Sequence, residues 1–187
     1  MTFEPFPVPI GKTLKEGQRR SIEKVVHALQ YGAVRGTGHA KGVLLADEMG
    51  TGKTIVCIVA ANTLGYRRIL VVCPAHLRET TWVNETTAWQ TLGNLVIPVK
   101  ARSRYQPGFL STLTSGWVVI NYDILSRHPE IKDCPWDLLI CDESHLLKNA
   151  RARRTCEVFG GKYRGIGCRI SRRLDADGRR RFGARLP

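Results

Sequence analysis

The chain has 187 residues, 43% of them hydrophobic, and a formal net charge of +13. That length allows one domain with a real core, and the apolar content argues against a disordered chain. No apolar run reaches the ~18 residues that a membrane span needs, and the N-terminal stretch lacks a secretory pattern.

Residues 1–13, with Pro5, Pro7 and Pro9, read as an extended lead-in. From Leu14 to Leu29, the apolar residues Ile22, Val25, Val26 and Leu29 keep a helical spacing. A glycine-rich loop spans Gly32 to Gly42. Val43 to Ala46 reads as a buried strand, followed by a loop at 47–52 and a helix from Lys53 to about Leu64. Ile69 to Cys73 is a second buried strand, stopped by Pro74. A helical stretch around Leu77 to Trp89 follows. Further strands are expected at Leu95–Val99, Trp117–Ile120 and Leu138–Cys141. These short runs do not alternate with polar residues, which is the pattern of parallel strands buried on both faces. Strands alternating with helices predict an α/β fold: an open, mostly parallel sheet with helices on both faces. Ligands of such sheets sit at the carboxyl ends of the strands.

Two polar segments lie at those ends. The first is Ala46-Asp47-Glu48-Met49-Gly50-Thr51-Gly52-Lys53-Thr54. Gly50 and Gly52 allow backbone conformations that let N–H groups turn inward around phosphate oxygens. The helix that starts at Lys53 adds the positive end of its dipole. Lys53 would reach the β- and γ-phosphates, and the Thr54 hydroxyl would ligate Mg²⁺. Asp47 stands where the strict GxxxxGK[ST] pattern has glycine. The second segment is Asp142-Glu143-Ser144-His145. Asp142 would hold Mg²⁺ through water, and Glu143 would orient and deprotonate an attacking water. His145 either relays between nucleotide and nucleic acid or only packs and hydrogen-bonds. Trp82 and Trp89 read as core residues.

In order along the chain, these segments resemble the first RecA-like lobe of a superfamily-2 DNA helicase or translocase, in the Swi/Snf-like (DEAH/DESH-box) branch. The likeness is nearest to the annealing-helicase-like members. Leu14-Lys15-Glu16-Gly17-Gln18 resembles the Q motif, Leu44 to Thr54 motif I, and Leu70 to Ala75 with Trp82 motif Ia. Val119 to Asp123 resembles motif Ib, and Asp142 to His145 with Leu147-Lys148-Asn149 motif II. The resemblance covers residues 14 to about 150. It implies ATP and Mg²⁺ as cofactors, a double-stranded DNA partner, and two lobes that close on the nucleotide. It also implies that Gln18 contacts adenine, that Met49, Gly50, Thr51, Gly52, Lys53 and Thr54 cradle the nucleotide, and that Lys53, Asp142 and Glu143 are catalytic. Pro74, Ala75, Asn121 and Tyr122 would lie near the DNA backbone, with His145 in coupling. Backbone contacts of that kind position a duplex without reading its sequence.

The family pattern is lost after motif II. The expected organisation is the lead-in 1–13, the ATP-binding lobe 14–164, and a basic, irregular tail 165–187, with the second lobe absent. The motif that should follow, Leu-Thr-Gly-Thr-Pro, has no counterpart, and the chain turns arginine-rich instead. Residues 151–187 hold 12 Lys and Arg against 3 Asp and Glu, whereas residues 1–150 hold 17 against 13. With one choice of codons, Leu174 to Asp177 read one base later gives Trp-Met-Leu-Thr. Arg179 to Phe182 read two bases later gives Thr-Pro-Ile. The tail therefore reads as a frameshifted remnant of a longer gene, which takes two shifts. The alternative is a genuine basic tail that binds nucleic acid or stays disordered.

Six cysteines form no CxxC pair and no zinc-type spacing; Cys57, Cys73 and Cys141 lie in apolar runs. Buried thiols suit a reducing cytoplasm, nucleoid-associated in a bacterium or virus, or the nucleus of a eukaryote. The expected function is ATP hydrolysis coupled to movement on duplex DNA, with little activity from this lobe alone. The alternatives are a non-catalytic nucleic-acid-binding single lobe and an inactive truncated fragment.

Overall fold

The computed structural model describes residues 5–31, 42–48, 50–103, 105, 108–159, 161–163 and 166–168. Met49 and the stretches 32–41 and 169–187 lie outside the described residues, and with them one predicted nucleotide contact, the glycine-rich loop and most of the tail.

Four strands build the sheet: β1 (Arg68–Cys73), β2 (Val96–Pro98), β3 (Gly116–Asn121) and β4 (Leu138–Cys141). Their order is β2-β3-β1-β4, and all three pairings are parallel. The register sets Val71 beside Val119 on one side and beside Ile140 on the other. Every residue of β1, β3 and β4 is buried, as their unbroken apolar runs require. Alternate side chains then serve two different cores. Ile69, Val71, Cys73, Trp117, Val119 and Ile140 pack with one set of helices. Leu70, Val72, Val118, Ile120, Leu139 and Cys141 pack with the other. Full burial of each such aliphatic side chain contributes about 1.5–3 kcal/mol.

Helices α1 (Glu16–Tyr31), α2 (Lys53–Thr63) and α3 (Asn84–Trp89) cover the first face. On α1, Gln18, Ile22, Val25 and Leu29 form the buried stripe. Both of its observed bounds lie two residues further along the chain than the expected ones. α2 stops at Gly65, whose φ of 63° is left-handed, and the Tyr66 N–H closes back on the Ala61 carbonyl. The Asn62 amide donates to Trp89 O at 2.9 Å and to Pro7 O at 3.3 Å, tying α3 and the lead-in to α2. Helices α4 (Phe109–Thr112), α5 (Pro129–Asp133) and α6 (Arg153–Phe159) lie toward the second core through Leu110, Ile131 and Val158. The stretch expected to be helical from Leu77 opens as a π-helical turn, Arg78–Val83, before α3 begins.

Two expectations are corrected. Val43–Ala46 is not a strand: only Leu44 makes an isolated bridge, Leu45 alone is buried, and Leu44 is 60% exposed. Four apolar residues become a strand only against a neighbouring ladder, and among the described residues β4 is the last member of the sheet on its side. The tail is not irregular from its first residues, because β6 (Ile166–Cys168) pairs antiparallel with β5 (Gly161–Tyr163).

Candidate nucleotide site

The carboxyl ends of β1, β3 and β4 carry Pro74, Tyr122 and Asp142, so the sheet delivers three predicted segments to one edge. The phosphate-loop residues face them from the start of α2. Gly50 has φ 80° and Gly52 φ 84°, both left-handed, and the loop conformation depends on them. The Lys53 ammonium donates to the Asp47 carbonyl at 2.7 Å and the Glu48 carbonyl at 2.8 Å. It thus spans the loop that would hold a phosphate. Thr54, in the first turn of α2, is half-buried.

Gln18 is buried against this loop. Its carbonyl oxygen accepts from the Lys15 N–H at 2.9 Å, and its amide donates to Thr51 O at 3.4 Å. A cleft of about 580 Å³ opens between α1 and the loop, lined by Lys15, Gln18, Ser21, Lys24, Asp47 and Thr51 among others. Ser21 donates its hydroxyl to the Asp47 carboxylate at 3.1 Å. The aspartate at the first-glycine position therefore fastens the loop to α1.

Asp142 is buried, and each carboxylate oxygen has a donor. The Trp82 indole N–H bonds one at 2.7 Å, and the Glu143 backbone N–H bonds the other at 2.9 Å. The Tyr122 hydroxyl donates to the Asp142 carbonyl at 2.7 Å. Burial raises the Asp142 pKa, while the two hydrogen bonds and the Lys53 ammonium pull it back down. Lys53 and Asp142 thus feel each other's charge across the site. Glu143 adopts φ 50°, the one non-glycine residue with positive φ among the described residues, and its carboxylate meets His145 Nδ1 at 3.0 Å. Such strain persists where the surroundings over-determine it, as functional sites do. Both side chains remain partly exposed.

No cluster of three or more His, Cys, Asp or Glu that could hold a metal exists among the described residues. The available donors are hard oxygens: the Asp142 carboxylate and the Thr54 hydroxyl. That set fits Mg²⁺, which binds through one or two carboxylates, phosphate oxygens and retained waters.

The side chains of Asn121 and Tyr122 are turned inward. Both are 5% exposed; Asn121 accepts from Arg78 at 3.1 Å, and Tyr122 is spent on Asp142. Pro74 is half-buried and Ala75 exposed. Trp82 and Trp89 are buried as expected, but packing alone does not account for Trp82, whose N–H reaches Asp142. The signal was present, since a buried indole N–H needs an acceptor, but nothing local names one 60 residues away. Arg78 and Ser21 also escaped notice, being ordinary polar residues on helical turns.

Residues 20–165 match the family model described as the SNF2-related domain. The chain belongs to the SNF2-related family. This SNF2-related domain is 33% identical over 129 residues to human DNA repair and recombination protein RAD54B, covering 63% of this chain and 14% of that protein. A Bos taurus SWI/SNF-related matrix-associated actin-dependent regulator of chromatin subfamily A-like protein 1 is 37% identical over 119 residues, covering 60% of this chain and 12% of that protein. The chain thus spans a small part of the length of the curated relatives it matches. The Sulfolobus solfataricus SWI2/SNF2 ATPase core, solved in complex with dsDNA, superposes with a TM-score of 0.69 at 18% identity. That match takes in 100% of this chain and 34% of that one, and it establishes the fold as a RecA-like lobe.

Proposed function

We propose that this domain is the ATP-binding lobe of an ATP-driven helicase or translocase acting on double-stranded DNA. The observation that carries the reading is the opposition of Lys53, in a glycine-bent loop at a helix start, to the buried carboxylate of Asp142 at a strand end. Lys53 leaves its two loop carbonyls for the β- and γ-phosphates, and the N–H groups at the start of α2 face the same oxygens. Thr54 and Asp142 would hold magnesium, which when bound would supply positive charge to the phosphate oxygens. Glu143 takes a proton from the attacking water, and His145 orients its carboxylate. Gln18 sits on the wall of the cleft where adenine would lie.

The DNA partner is supported by family membership and by a solved relative bound to dsDNA. The place of action is then wherever the DNA is, nucleoid or nucleus. The backbone around Pro74, Ala75, Asn121 and Tyr122 is the proposed DNA side of the lobe. A second lobe closing on the nucleotide is part of this reading, so turnover by the isolated chain is expected to be low.

Titration of the full chain with a fluorescent ATP analogue and MgCl₂ tests the nucleotide assignment. Lys53→Ala should abolish binding. Unchanged affinity in that variant rules the assignment out.

A further inference from the structure

We propose that Trp82 is a positioning residue that holds the Asp142 carboxylate in its metal-binding orientation. The proposal rests on the nucleotide–magnesium reading above. Trp82 is completely buried, and its indole offers a single, directional N–H. That donor lies 2.7 Å from Asp142 Oδ2. A hydrogen bond to an ionised acceptor is about twice as strong as a neutral one. With the Glu143 N–H on Oδ1, two donors from two different elements fix the rotation of the carboxylate.

The element that carries Trp82 is itself unusual. Arg78–Val83 is a π-helical turn, a form that recurs at functional sites. Its first residue, Arg78, donates to Asn121 Oδ1 at 3.1 Å and to Val99 O at 2.9 Å. The same turn is therefore bolted to the carboxyl end of β3 through Arg78 and to that of β4 through Trp82. Tyr122, next to Asn121, closes the triangle on the Asp142 carbonyl. The metal carboxylate sits in a frame whose other corner is the proposed DNA side.

Magnesium demands near-ideal geometry from its ligands, and loss of a group that orients a metal ligand typically costs about 10–100-fold in metal affinity. Trp82→Phe keeps a ring in the core and removes the N–H. The expected result is a folded protein with unchanged affinity for the ATP analogue in EDTA. The MgCl₂ concentration giving half of the metal-dependent gain in affinity should rise about tenfold. An unchanged magnesium curve in folded Trp82→Phe overturns the proposal.

A second measurement uses the native chain and so does not depend on that variant folding. The chain has four tryptophans. In ¹⁵N-indole spectra of the nucleotide complex, the Trp82 N–H should shift on adding MgCl₂, and the shift should vanish in Asp142→Asn. Absence of any indole response to MgCl₂ in a protein that binds the ATP analogue overturns the proposal alone. Failure of the native chain to bind the analogue overturns the nucleotide reading, and this proposal with it.

Discussion

Gly52 and Gln18 meet so closely that a Cβ on residue 52 would collide with the Gln18 amide. Residue 52 also has φ 84°, a left-handed conformation that costs a residue such as alanine about 1–2 kcal/mol. Gly52→Ala should therefore lower stability by at least that amount in urea unfolding and weaken nucleotide binding. Adding Gln18→Ala should recover the part due to the clash and leave the backbone strain. Strict additivity of the two changes would show that they do not interact.

Lys53 makes its two hydrogen bonds to carbonyls of an exposed loop, where such bonds contribute little. Lys53→Ala should unfold within about 1 kcal/mol of the native chain while losing the ATP analogue. Glu143→Gln should behave differently, keeping nucleotide affinity and losing hydrolysis, read as phosphate release with DNA present. Loss of affinity in Glu143→Gln would remove its assignment as the base.

Burial drives the Cys73 thiol pKa up to about 12, with the neighbouring Asp142 charge adding to the rise. Cys57 is pushed upward by the same two causes. The unfolded chain releases these protons from about pH 8.5, while the folded chain keeps them. The unfolded state then binds fewer protons, so stability is full below that pH and falls as pH climbs toward 12. The slope is about 1.4 kcal/mol per pH unit for each such thiol. Urea midpoints measured from pH 8 to 11 should fall, and Cys73→Ala should flatten the curve. A thiol reagent at pH 8 should leave both residues unmodified until the protein is unfolded.

Lys132 and Glu157 join α5 to α6 by a 2.8 Å ion pair with little solvent exposure. Glu157→Ala leaves the part-buried Lys132 ammonium without this partner, so it should cost about 1–3 kcal/mol. The double change Lys132→Met with Glu157→Leu should be milder, because neither member of the pair is left behind and Arg153, 3.8 Å from Glu157, is itself exposed to water. Equal losses in the two variants would show that the pair contributes through packing alone.

The sheet was legible because its chemistry is local. An apolar run such as Leu138–Cys141 has no solvent-facing side, and the structure buries all four residues. The phosphate loop was legible for a similar reason: Gly50 and Gly52 mark where the backbone turns left-handed before a helix. The same local evidence misled at Val43–Ala46, where apolar content suggested a strand but a strand needs a partner ladder.

The sequence by itself determined which residues could bend, which had to be buried, and which segment ends could meet phosphate. Only the tertiary structure decided that Trp82 serves Asp142, that Arg78 takes up Asn121, and that Asn121 and Tyr122 turn inward. The physical reason is range. Backbone preference and hydrophobic period act over a few neighbouring residues. A buried donor instead finds its acceptor wherever the order β2-β3-β1-β4 brings one within reach.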